Sequence, residues 1–168
     1  MAKPVATRVT GTTPAGSTTT AAAVSPPLAT RAGTIDGSPV TLSIVSLERS
    51  GLTTELTISL TTTVNKVDID GWFDDTIDES VKGEGSGNVD GSNSLDGIFL
   101  VDTTDAKKYP VARDSNNKCL CDDNLLYNGV SNTGPLLLSA TFGAPPANVK
   151  TVNVFIPHYG TFVNVPLG

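Results

Sequence analysis

Residues 52 to 64 alternate without a break. Even positions read Leu52, Thr54, Leu56, Ile58, Leu60, Thr62 and Val64, and odd positions read Thr53, Glu55, Thr57, Ser59, Thr61 and Thr63. A period of two held over thirteen residues is the signature of a strand with one apolar and one solvated face. Residues 39 to 48 alternate as well, with Val40, Leu42 and Ile44 on one face. The phase slips at Val45 and Leu47, which predicts a β-bulge. Ser50-Gly51 reads as the turn that joins the two runs into a hairpin.

Further strand-like runs follow. Ile98 to Val101 is a short apolar run, and Lys108 to Arg113 is another, its Pro110 suggesting an edge position. Pro135 to Phe142 places Leu136, Leu138, Ala140 and Phe142 on one face. Val149 to Ile156 places Val152, Val154 and Ile156 inward, and Thr161 to Val165 is the last run. Seven to nine short strands separated by Gly, Pro and Asn turns predict an all-β, antiparallel β-sandwich. No strand alternates with a long helical pattern, which argues against a βαβ fold. At 168 residues the chain has room for one domain with one core.

Two segments break the pattern. Residues 1 to 33 are rich in Thr, Ala, Ser and Pro and are expected to form a disordered tail or tether ahead of the domain at 34–168. The tail lacks the apolar stretch of a signal peptide. Either export is not used, or the chain begins after a signal that has been removed. The second break is an acidic insertion at about 66–97, holding nine of the 17 carboxylates. Within it, Asp74 or Asp75 is placed to cap a short helix carrying Ile77 and Val81. The net charge of −6 therefore describes a segment rather than a whole surface. It argues against nucleic acid as a partner, which needs a basic face. No apolar stretch is long enough for a membrane helix.

The chemistry-bearing residues are few. Cys119 and Cys121 form a C-x-C pair for which three readings stand: a structural disulfide, two free thiols, or a redox or metal pair. The disulfide is the favoured one for an exported domain. Asp68, Asp70 and Asp74 are candidate ligands for Ca²⁺, which takes oxygen donors from closely spaced carboxylates. The spacing fails the EF-hand template, because Trp72 and Phe73 fall where a ligand and a glycine are needed. A solvated acidic loop is the plainer reading, and no cofactor is expected beyond that Ca²⁺ option. His158 is the only histidine and reads as a turn residue. No nucleophile elbow, P-loop, dinucleotide fingerprint or zinc motif is present, so the chain is expected not to be an enzyme. Trp72, and Phe155 on the outer face of its strand, are candidate partner contacts.

Three stretches carry a resemblance. They are Tyr109-Pro-Val-Ala-Arg-Asp-Ser-Asn-Asn-Lys-Cys-Leu-Cys, Leu138-Ser-Ala-Thr-Phe-Gly-Ala-Pro-Pro-Ala-Asn-Val, and Val152-Asn-Val-Phe-Ile-Pro-His-Tyr-Gly-Thr-Phe-Val-Asn-Val-Pro-Leu. Together they resemble a family of actinobacterial exported or lipoprotein-type proteins. The resemblance covers residues 36 to 168 and is strongest from Tyr109 onward. It implies a small immunoglobulin-like β-sandwich, a secreted or cell-envelope location with a lipid anchor upstream, and no catalytic residues. The expectation is an extracellular or cell-surface module that binds a protein partner or self-assembles. Two alternatives are a structural subunit of a surface or virion assembly, and a Ca-binding or metal-carrying β-domain.

Overall fold

The computed structural model describes residues 25–74, 93–123, 125 and 129–168. The proposed helix after Asp74, most of the tail and the centre of the acidic insertion lie outside these residues. Ten strands are present among the described residues, and no α-helix. They are β1 (Ala29–Ile35), β2 (Ser38–Ser50), β3 (Thr53–Thr62), β4 (Val67–Asp68), β5 (Phe99–Asp102), β6 (Lys107–Pro110), β7 (Gly129–Val130), β8 (Leu136–Gly143), β9 (Thr151–Ile156) and β10 (Gly160–Pro166).

Two four-stranded antiparallel sheets form, ordered β1-β2-β3-β8 and β10-β9-β5-β6, with β4 and β7 as a small separate pair. Inward side chains of both sheets belong to one buried cluster, including Leu42, Ile58 and Phe142 from the first sheet and Leu100, Val154 and Phe162 from the second. This all-β arrangement is consistent with a β-sandwich, in which two apolar faces bury each other.

The β2–β3 register is Ile44↔Ile58 and then Ser46↔Thr57, which leaves Val45 unpaired and exposed. This is the bulge that the phase slip predicts. It lets Val40, Leu42, Ile44 and Leu47 all point inward across the slip. Even positions from Thr54 to Leu60 are buried as the alternation requires. Leu52 is the exception. It sits in the turn ahead of β3 and is 91% exposed, because the turn has no sheet beneath it.

β1 includes residues 29–33, which the sequence reading assigns to the tail. Its inward positions are Ala29, Arg31, Gly33 and Ile35, so only one large apolar residue marks it as a strand. The acidic insertion also differs from expectation. Val67, Ile69, Phe73 and Leu95 all enter the core.

The two sheets are stitched at both sides. On one side the chain leaves β6 and Val111 bridges Phe142 of β8, so one strand passes from the second sheet to the first. Residues 111–123 then fold back as a hairpin along the outer edge of β8. On the other side β1 covers β2 only as far as Ile44. Beyond the bulge, Gly168 takes that place: its N–H donates to Leu47 O at 3.0 Å, and its carbonyl accepts from Arg49 N at 3.0 Å.

Candidate functional site

Two groups of side chains have a defined arrangement, and the first faces outward. The first lies on the outer face of the second sheet. Buried Leu100 and Val154 alternate with half-buried Phe99 and Phe155. The register pairs Phe99 with Phe155 directly, and their rings stack with centroids 4.5 Å apart. The Lys108 ammonium lies 3.9 Å from the centre of the Phe99 ring. A cation over an aromatic face is attracted by the ring quadrupole. Thr161, Val101 and Asn153 complete the two rows of this face. Phe155 is thus where alternation places it, half-buried and stacked on Phe99.

The outer face of the first sheet is different in kind. One row across it reads Thr30, Ser43, Ser59 and Leu137, and the next Ser46, Thr57 and Ser139. Thr30 and Ser43 share a hydroxyl hydrogen bond of 3.0 Å. Apart from exposed Leu137 on β8, these rows carry short hydroxyl side chains that offer little apolar area to a partner, so the two faces are chemically distinct.

The second group lies where the ends of the acidic insertion meet the turn after β9. Trp72 stacks on His158 with ring centroids 4.2 Å apart. His158 holds a φ of 61°, in the left-handed region, within a tight turn closed by Tyr159 N–H to Ile156 O at 3.1 Å. The neighbouring Tyr159 is buried, and burial pushes its hydroxyl up to about 12. It therefore stays a donor, to Val40 O at 3.2 Å.

Asp74 is buried at 7% exposure, and its Oδ1 has no hydrogen-bond partner among the described residues. Desolvation raises its pKa above the ordinary carboxylate value and Asp96 raises it further, against the opposing pull of its own backbone N–H and then of His158. Asp96 is held by Arg113, whose Nη2 lies 3.0 Å from its Oδ2. The same guanidinium donates through Nη1 to Asn117 O at 2.9 Å, which ties the 111–123 hairpin to this end of the molecule.

The Ca²⁺ candidates are not assembled together. Asp68 pairs with Lys66 at 2.7 Å on an exposed surface, Asp70 is exposed, and Asp74 is buried. Among the described residues no three His, Cys, Asp or Glu side chains are grouped to hold a metal ion. Trp72 is partly buried against the core rather than free on the surface.

Cys119 and Cys121 lie at disulfide distance, with Sγ atoms 2.11 Å apart. No free cysteine remains among the described residues. The turn of their hairpin is organised by Asp114, whose carboxylate accepts from Asn116 N at 2.8 Å and Lys118 N at 2.9 Å. Those donors hold its pKa below the ordinary value, the Lys118 amide most of all.

No known protein family, curated protein or solved structure matches this chain. Sequence reasoning missed the Trp72–His158 stack, because the residues are far apart in the chain. It also gave no role to Arg31. Arg31 donates to the carbonyls of Tyr159 and Thr161, the latter at 2.9 Å, and its guanidinium lies 4.3 Å from the centre of the Phe162 ring.

Proposed function

We propose that this chain is a non-enzymatic binding or assembly module on an immunoglobulin-like β-sandwich, acting outside the cell or at its surface. One observation carries the reading: the stacked Phe99–Phe155 pair, with Lys108, on the outward face of the second sheet. Aromatic side chains supply large contact area at low entropic cost and are enriched at protein interfaces. The outer face of the first sheet, apart from Leu137, carries short hydroxyls instead of a stacked aromatic pair. The disulfide supports an oxidising compartment. The resemblance in the 109–168 motifs supports the immunoglobulin-like topology and the cell-envelope location.

A photo-crosslinking amino acid placed at position 155, and separately at position 57 on the hydroxyl face, tests the reading. Cross-links to a defined envelope protein, or to a second copy, from position 155 alone are expected. Equal yields from both positions, or none from 155, would sink it.

A further inference from the structure

Cys119 and Cys121 belong to two different bridges. Cys119 pairs across the hairpin with Arg113, whereas Cys121 pairs with Ala140 of β8. Leu120 between them is bonded both ways. Its N–H donates to Ala112 O at 2.8 Å within the hairpin, and its carbonyl accepts from Thr141 N at 2.8 Å on β8. Ala112 N donates to Thr141 O at 2.7 Å, Asp122 N to Ser139 O at 2.9 Å, and Ser139 N to the Asp122 carboxylate at 2.6 Å, completing the docking. The disulfide thus joins the point that closes the hairpin to the point that fastens it to the sheet.

The bond also fixes a spacing. The two Cα atoms are 5.3 Å apart. Two residues of extended strand span about 6.6–7 Å. The pinched backbone is the one in which Leu120 satisfies both neighbours. With only Leu120 between its ends, the bond restricts the unfolded chain very little, so its effect is local rather than global.

We propose that the Cys119–Cys121 bond is a redox latch that holds the 111–123 hairpin on the edge of β8 and frees that edge on reduction. The reductant is a dithiol. Its thiolate attacks Sγ of Cys121, which is half-buried, whereas Cys119 is buried. A new S–S bond forms to Cys121, the Cys119–Cys121 bond breaks, and the electron pair leaves on Cys119 Sγ, which takes up a proton. The second thiol of the reductant then displaces Cys121, which is protonated in turn, and the reductant leaves as a disulfide. Two electrons and two protons reach the protein. The 119–121 segment then lengthens toward the extended span, and Leu120 loses one of its partners. Ser139 and Thr141 of β8 are left on an open strand edge, a template for pairing with another chain.

Amide hydrogen exchange on the full chain, before and after dithiothreitol, tests the latch. Protection at Ala112, Leu120, Asp122, Ser139 and Thr141 is expected to fall by roughly tenfold or more, while Leu42 and Ile58 in the β2–β3 ladder keep theirs. Unchanged exchange at the five amides overturns the proposal, and so does an equal fall across both sheets. The Cys119→Ser/Cys121→Ser variant should match the reduced protein without any reductant. If that variant does not fold, reduction of the native chain still decides.

Discussion

Gly33 and Tyr159 occupy one space. A Cβ at position 33 would lie 2.9 Å from Cε1 of the Tyr159 ring. The ring cannot swing away freely, because its hydroxyl is bonded to Val40 O at 3.2 Å. Edge strand β1 can therefore lie against the turn after β9 only with glycine at this position. Gly33→Ala is expected to destabilise the fold by about 1–3 kcal/mol, the usual cost of overpacking. Tyr159→Phe should cost less, about 1 kcal/mol, for the lost hydrogen bond. Urea unfolding of both variants checks the order.

Arg31 ties β1 to the start of β10 through two backbone carbonyls and the Phe162 ring. A guanidinium reaches both carbonyls as a planar fork, whereas an ammonium acts from one point. Arg31→Lys should therefore destabilise nearly as much as Arg31→Ala, by about 1–2 kcal/mol. Equal stability of Arg31→Lys and the native chain in denaturant melts would refute this.

Asp74 sets a pH dependence whose sign is fixed by its burial. Its folded pKa is raised, so the folded state binds the proton more tightly than the unfolded chain. Its stabilising contribution is complete below the unfolded value, near 3.8, and is lost as pH rises through the raised folded value. Asp74→Asn should accordingly raise the urea midpoint at pH 7, with the gain shrinking as pH falls toward that of the unfolded carboxylate. A gain that grows on acidification would contradict the assignment.

Gly97 closes the acidic insertion. Its N–H donates to Phe73 O at 3.0 Å, and a Cβ there would meet Asp74 O at 2.5 Å and Phe73 O at 2.7 Å. Both neighbours are backbone and cannot turn aside. Gly97→Ala should cost about 3 kcal/mol, at the upper end of overpacking losses. Near-UV circular dichroism of Trp72, the chain's single tryptophan, should weaken with it, since Trp72 adjoins Phe73.

The fold was legible wherever large apolar residues recur at a strand's own period. β2, β3, β8 and β9 are read from Leu42, Ile58, Leu138 and Val154 with their burial correctly assigned, and the slip at Val45 locates the bulge. β1 was not legible because its inward residues are chosen for distant partners. Arg31 serves β10, and Gly33 makes room for Tyr159. Ile69, Phe73 and Leu95 were hidden in the same way. Their burial depends on the Phe73–Gly97 closure, which no local period reports. The C-x-C spacing brought the disulfide into view as one of three readings. It could not say that its two halves serve different bridges, since β8 arrives only later in the chain.

The Phe73–Gly97 hydrogen bond has a practical meaning for anyone reworking this protein. Phe73 and Gly97 hold adjoining backbone atoms, so the two ends of residues 74–96 are fixed against each other. Lengthening a flexible chain between two fixed ends costs about 0.6 kcal/mol per doubling. A peptide inserted between these two residues is therefore expected to leave the Phe73–Gly97 contact in place, with the two close carbonyls as its collar.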